Sequence, residues 1–368
     1  EQYRSAFVFH DLDGDGVNEA IVFYSLLQAE SNARINILSK KSGSWRSVYE
    51  VVGKAPDVVR LSFSQMSEGM ETMLVQWEDS KYDQNEVSAY SYTGLQLKNL
   101  FSDKYSEIEI CDIDRDGFDE MIIIDRLDFG KTIAKMVKET ESGIKVVSET
   151  NMRDNITRIE KLQAGMLTND MPALFSDASI ENQYVVTDVL TVRDGTLSNV
   201  MLEQAESTGY RHTKVLCRDM DGDGIMEIPF ERELIGFENA ADDDKLYLTE
   251  YMQWNGNHFT QKLTAAVNVE AAYAFTMPDE WVDRVTIESV PYNNEWRFYK
   301  VNRNGEKDQE LLRIRTYSKS DYQDKFEKNY NMIAEKGMSL YYAYIPQLPD
   351  EPLAISEQRC TELFSTID

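Results

Sequence analysis

Hydrophobic and polar positions change over in short bursts along this chain. In its first 52 residues SAFVFHD, EAIVFYSL, ARINILSK and WRSVYEVV follow one another. Each is rich in β-branched and aromatic residues and bounded by turn formers, the signature of strands. An acidic loop joins the first two runs, and a glycine turn at Gly43 joins the last two. Residues 20–24 and 121–124 are continuously apolar, as expected of strands covered on both faces. The pattern predicts a unit of four strands.

The unit recurs. FHDLDGDGVNEAIVF from Phe9, ICDIDRDGFDEMIII from Ile110 and CRDMDGDGIMEIPF from Cys217 align on their aspartates, with first aspartates 101 and 107 residues apart. Each gap is about two units long, so a silent copy is expected in each. RLSFSQMSEGMETMLVQW (60–77) and IEKLQAGMLTNDMPALFSD (159–177) keep the apolar frame without the aspartates; Gln65 and Ser67 stand in their place in the first. Glycine turns at Gly43, Gly94, Gly143, Gly195 and Gly256, spaced by 51, 49, 52 and 61 residues, give the same five units. A four-stranded unit of about 50 residues repeated radially is the β-propeller pattern. The expected fold is mainly β: a five-bladed propeller over 1–267. Stacked β-sandwiches, the alternative, would not readily give so constant a period.

After Asn268 the repeat stops, and 268–368 reads as a small α+β domain. Strands are expected on either side of a turn at Pro278, then in NEWRFYKV, QELLRIRTY and SLYYAYIPQ. A helix is expected from a cap at Ser320 to Gly337, and a short amphipathic one in ISEQRCTELFSTI. Phe275, Trp281, Trp296 and Phe298 are expected in the core, with a sugar-stacking face as the functional alternative.

The aspartate loops carry the chemistry. They read D-x-D-x-D-G-x-x-E: Asp11, Asp13, Asp15 and Glu19; Asp112, Asp114, Asp116 and Glu120; Asp219, Asp221, Asp223 and Glu227. The Val17, Phe118 and Ile225 carbonyls can turn inward beside them. Alternating acids in a looping chain bring several oxygens to one point, which suits Ca2+ and its 6–8 oxygen ligands. Mg2+ demands stricter octahedral geometry, and an EF-hand would need flanking helices where β-rich runs stand instead. Solvated acidic turns without metal are the plain alternative. The expected role of up to three ions is structural, because the acids are spent on coordination and nothing nucleophilic recurs beside them.

These loops and their flanking strands resemble the FG-GAP/VCBS repeat family of integrin-type propellers and secreted bacterial proteins. The resemblance implies calcium held between the first two strands of a blade, and extracellular adhesion or ligand binding. Here Glu stands at the ninth position, where Asp is commoner. The C-terminal region looks like accessory domains attached to propellers in secreted bacterial lipoproteins, chiefly through FTMPDEW.

Composition narrows the partners. With 65 acidic and 38 basic residues among 368, the net charge is −27, which argues against nucleic acid or an anionic membrane surface. Three calcium ions would leave −21, so acidity covers the general surface; the 242–244 tract reads as a solvated loop. No apolar run reaches the roughly 20 residues of a membrane-spanning helix. Cys111, Cys217 and Cys360 show neither disulfide nor zinc spacing, and His10, His212 and His258 are scattered. A start at Glu1 leaves an upstream segment expected, with a lipid anchor as one form. The expected function is a non-catalytic extracellular or cell-surface protein that binds a polysaccharide or surface protein. The alternative is a carbohydrate-active enzyme, glycosidase or lyase, needing two facing carboxylates; Asp79, Asp125 and Asp177 near strand ends sit in no motif. A third reading has the repeats present the C-terminal domain to a partner.

Overall fold

The computed structural model describes residues 7–26, 32–41, 43–81, 84–181, 184–204, 208–238, 240–241, 245–320 and 329–367. It is mainly β, with 61% strand and 5% helix. The first sheet is β1 (Phe7–His10), β2 (Glu19–Tyr24), β3 (Arg34–Lys41) and β4 (Ser44–Val52), paired in chain order. The second is β5 (Asp57–Ser67), β6 (Met70–Asp79), β7 (Gln84–Thr93) and β8 (Gln96–Lys104). The third is β9 (Glu107–Cys111), β10 (Glu120–Arg126), β11 (Thr132–Thr140) and β12 (Gly143–Asn151), and the fourth β13 (Ile156–Thr168), β14 (Met171–Ile180), β15 (Tyr184–Arg193) and β16 (Thr196–Asn199). The fifth contains β17 (Ile228–Glu233), β18 (Tyr247–Trp254), β19 (Phe259–Asn268) and β20 (Tyr273–Thr276).

The sixth sheet has the order β21 (Val285–Val290), β22 (Glu295–Val301), β23 (Lys307–Ser318), β25 (Ser339–Tyr344), β24 (Asn331–Lys336). Helix α1 (Glu357–Leu363), capped by the Ser356 hydroxyl accepting from Arg359 N, leads into β26 (Phe364–Thr366). That strand pairs with β20 and makes the fifth sheet five-stranded.

The expected five-bladed propeller is not what these sheets form. Among the described residues they number six, each an open antiparallel sheet of four or five strands, and none closes or curls on itself. Strand period and glycine turns are local properties: they specify the meander within a unit, not the arrangement of successive units. The sixth sheet comes from the region read as α+β. The helix expected up to Gly337 is also corrected. Residues 331–336 are strand, with Lys336 opposite Ser339 across a turn at Gly337. Gly337 has φ +57°, a conformation that ends helices and closes hairpins alike. The rest of that expected helix, 321–328, lies outside the described residues, as does the 242–244 tract.

The chain divides into two compact units, one of residues 1–166, 170–181 and 188–205, the other of 167–169, 182–187 and 206–368. The first three sheets belong to the first unit and the last two to the second; the strands of the fourth are divided between them. The boundary expected at 267/268 falls inside β19, within the β19–β20 hairpin.

In the first unit, neighbouring sheets share their cores. Met73, Val75 and Trp77 of β6 pack with Ile21, Ile35 and Ile37 of the first sheet, whereas Leu74 packs with Met121 and Ile123 of the third. Successive side chains of a strand point to opposite faces, so a strand covered on both sides must be apolar throughout. In the second unit Phe275, Trp281, Trp296 and Phe298 all lie in one core. Full burial of Phe275, Trp281 and Phe298 stabilises by about 1.5–3 kcal/mol each and leaves those three no exposed ring face; Trp296, 8% exposed, also lines a cleft.

Candidate metal loops

Each acidic loop leaves the first strand of a sheet and enters the second. In the third sheet it links β9 to β10; in the fifth, an Arg218–Glu227 bridge takes the place of a first strand. The silent second and fourth sheets close the same connection with tight turns, Ser67 pairing with Met70 in one.

Backbone amides shape the loops. In the first, Asp11 Oδ1 accepts from Gly14 N at 2.8 Å and Asp11 Oδ2 from Gly16 N at 2.8 Å. Val17, Phe118 and Ile225 each donate their N–H to the third aspartate of their loop, at 2.8–2.9 Å. The fourth loop position is left-handed in all three: Gly14, Arg115 and Gly222 have φ of +74°, +63° and +78°. Arg115 bears strain that glycine avoids, and its guanidinium holds the Asp170 carbonyl at 2.9 Å.

Three carboxylates converge in each loop: Asp11, Asp13 and Asp15; Asp112, Asp114 and Glu120; Asp219, Asp221 and Glu227, with one oxygen from each within 4.8 Å of the others. Glu19, Asp116 and Asp223 stand outside that mutual distance. The terminal glutamates are nonetheless the most buried acids of their loops, at 0–1% exposure, and their Oε2 atoms accept from the second loop residue, Leu12 N, Ile113 N or Met220 N. Burial first, then the neighbouring aspartates, raise the Glu19 carboxyl above its ordinary range; the same two causes, opposed by hydrogen bonds, take Glu227 to about 7. Such carboxyls gain from a bound cation.

The three loops differ in what faces them. Register puts Ser39 opposite Glu19, one step beyond the Ala20–Leu38 pair. The equivalent residues are Lys138, beyond Met121–Val137, and Gln253, beyond Ile228–Met252. Lys138 Nζ lies 2.5 Å from Asp114 Oδ2, 2.5 Å from Asp116 Oδ2 and 2.9 Å from Glu120 Oε1. Burial works against its charge, but these bonds win and hold the ammonium above its ordinary range. The Glu120 Oε1 contact lacks hydrogen-bond geometry and is electrostatic. Gln253 Nε2 donates to Asp223 Oδ2 at 2.9 Å and Glu227 Oε1 at 2.6 Å. Lys262 Nζ lies 3.3 Å from Asp221 and 3.4 Å from Asp223.

A bulge aims Lys262. Tyr251 and Met252 pair with Leu263 and Gln261, leaving Lys262 as the extra residue of β19. The equivalent extra residues are Val48 and Val147 in the first and third sheets. Bulges re-aim side chains in this way. Sequence reading missed Ser39, Lys138, Gln253 and Lys262, because only strand register brings them to the loops.

Several of the remaining singled-out side chains are engaged by neighbours or buried. The His10 ring stacks on Phe63, with its Nε2 against Glu71, and His212 lies between Tyr247 and Glu231. Burial pushes the Cys111 and Cys360 thiols up to about 12. Asp125 is engaged by Lys135 at 3.0 Å, Asp79 accepts from Lys81 N at 3.2 Å, and Asp177 is fully buried. A cleft of about 920 Å³ in the second unit includes Lys214, Tyr247, Glu270 and Glu295 in its lining. At Glu295 burial works to raise the carboxyl, but bonds from Tyr330, Arg297 and Arg315 win and hold it below its ordinary range.

No protein-family model matches the chain, and a search of curated proteins finds no match. Among solved structures, Saccharomyces cerevisiae Sqt1 is similar over 91% of this chain and 86% of its own, with 10% identity and a TM-score of 0.35. The exotype rhamnogalacturonan lyase YesX is similar over 82% of this chain and 60% of its own, with 11% identity and a TM-score of 0.30. Likeness at that level carries no argument about what the chain does.

Proposed function

We propose that the chain is a calcium-stabilised, non-catalytic binding protein that works outside the cell or at its surface and meets a polysaccharide or protein ligand. One observation carries the calcium part of this reading: three carboxylates converge in the strand-one to strand-two loop of three sheets, each loop ending in a buried glutamate. Calcium would neutralise the cluster and fix the turn, with Asp11, Asp13, Asp15 and Glu19 the best fitted set, since among the described residues no lysine or arginine pairs with them. The loop resemblance to FG-GAP/VCBS repeats supports an extracellular setting.

Equilibrium dialysis against calcium, with melts in calcium and in chelator, tests the reading. Glu19→Gln is expected to weaken binding in the first loop about 100-fold by removing a charged ligand. The same change is expected to raise stability in chelator, because it deletes a buried, unneutralised carboxylate. Failure of the wild-type chain to bind calcium at millimolar concentration would remove the basis of the proposal. A glycan array read with and without chelator then tests the ligand class; binding indifferent to chelator would detach ligand recognition from the loops.

A further inference from the structure

We infer that the loop of the third sheet carries its own cation, the Lys138 ammonium, in the position calcium would take, and that the wild-type chain therefore binds two calcium ions, in the first and fifth sheets, not three. The inference rests on the calcium reading of the loops and departs from the expectation that they are equivalent.

The comparison is internal to the molecule. Two positions decide what faces a loop: the residue opposite the terminal glutamate on the strand that pairs next, and the bulged residue of the strand after that. They are Ser39 and Val48 in the first sheet, Lys138 and Val147 in the third, and Gln253 and Lys262 in the fifth. The first sheet thus places no positive charge against its acids.

In the third sheet one ammonium meets three different carboxylates at 2.5–2.9 Å, donating a hydrogen bond to Asp114 and standing as an ion pair against Asp116 and Glu120. Its side chain is only 20% exposed and that of Glu120 is fully buried. A dication among the same oxygens would sit directly against this fixed charge, and its entry requires the lysine to leave. In the fifth sheet the opposing groups yield more easily. Gln253 is neutral, and its amide can present oxygen to an ion as readily as nitrogen to a carboxylate. Lys262 is 34% exposed and stands 3.3–3.4 Å away, so it can swing into water.

The lysine does not satisfy its loop completely. Asp112 Oδ1 is buried with no hydrogen-bond partner, which leaves a ligand oxygen ready should the ammonium be removed. Lys138→Met, which keeps the stem and deletes the charge, is therefore expected to gain a site.

Calcium stoichiometry by equilibrium dialysis is expected to be two for the wild-type chain, three for Lys138→Met, and two again for Lys138→Met with Asp112→Asn, which places the gained ion in the third sheet. Lys138→Gln, which copies the fifth sheet, serves if the methionine variant does not fold, with circular dichroism as the check. Anomalous diffraction from calcium-soaked wild-type crystals gives a second readout: peaks in the first and fifth sheets and none beside Lys138. A peak beside Lys138, or unchanged stoichiometry in folded lysine variants, overturns the inference and leaves the calcium reading intact. A wild-type chain that takes no ion removes the calcium reading; a first ion bound by Lys138→Met would then still uphold the role of the lysine.

Discussion

At the scale of single residues, partners within bonding distance hold buried charge. Glu295 is the clearest case. It is 2% exposed, and its carboxylate accepts from Arg315 Nε at 2.7 Å, Arg297 Nε at 2.6 Å and Tyr330 Oη at 2.5 Å. Breaking such a pair strands a charge and costs about 3–5 kcal/mol, so Glu295→Gln is expected to lose that much at pH 7. The pH dependence follows from the depressed carboxyl. A group with a lowered folded pKa contributes stability above its unfolded value, about 4.3 for glutamate, and loses it as pH falls through the folded value. Urea titrations from pH 7 to pH 3 should therefore show the wild-type advantage over Glu295→Gln constant down to about pH 4.5 and shrinking below. An advantage unchanged at pH 3 would mean that Glu295 stabilises by packing alone.

At the scale of elements, the four-strand meander is written in short apolar runs and glycine turns, and close approaches fix how its strands meet. Gly53 is one: a Cβ there would lie 2.3 Å from the outer ring atoms of Trp77 and 2.7 Å from the Ala33 carbonyl. Gly53→Ala should cost about 1–3 kcal/mol by overpacking. Trp77→Phe removes the ring atoms it strikes, so the double variant should be less destabilised than the sum of the singles; simple additivity in denaturant melts would refute this contact as the cause. Such a contact is invisible in the sequence, as is the opposition of Lys138 to Glu120, which lie 18 residues apart and meet only through the register of β10 and β11. The aspartate loops are legible because their acids and the glycine that turns them fall within nine consecutive residues. The strand at 331–336 was masked by a shared signal, since Gly337 serves a hairpin where the same residue type ends helices. The arrangement of the sheets had no signal at all, because a repeat period says nothing about closure.

At the scale of the whole molecule, a net charge of −27 sets charge repulsion against the compact state. Two contributions should be separable. Diffuse repulsion among surface acids is screened over about 10 Å at 0.1 M salt, so in chelator raising sodium chloride from 0.02 to 0.5 M should increase the melting temperature by about 5 °C, a shift worth 1–2 kcal/mol for a chain divided into units of this size. The acids of the first loop are different. Three of them lie within 4.8 Å of one another, well inside the ~10 Å screening length at 0.1 M salt, and an ion coordinated at about 2.3–2.6 Å neutralises them directly. Millimolar calcium should therefore add stabilisation that survives at 0.5 M sodium chloride, with magnesium adding less because it keeps its waters. Melts over a grid of salt and calcium distinguish the cases. If high salt erases the calcium increment, the ion acts only as a screening charge and the loops are solvated turns; the part of a persisting increment that is lost in Glu19→Gln is assigned to coordination in the first sheet.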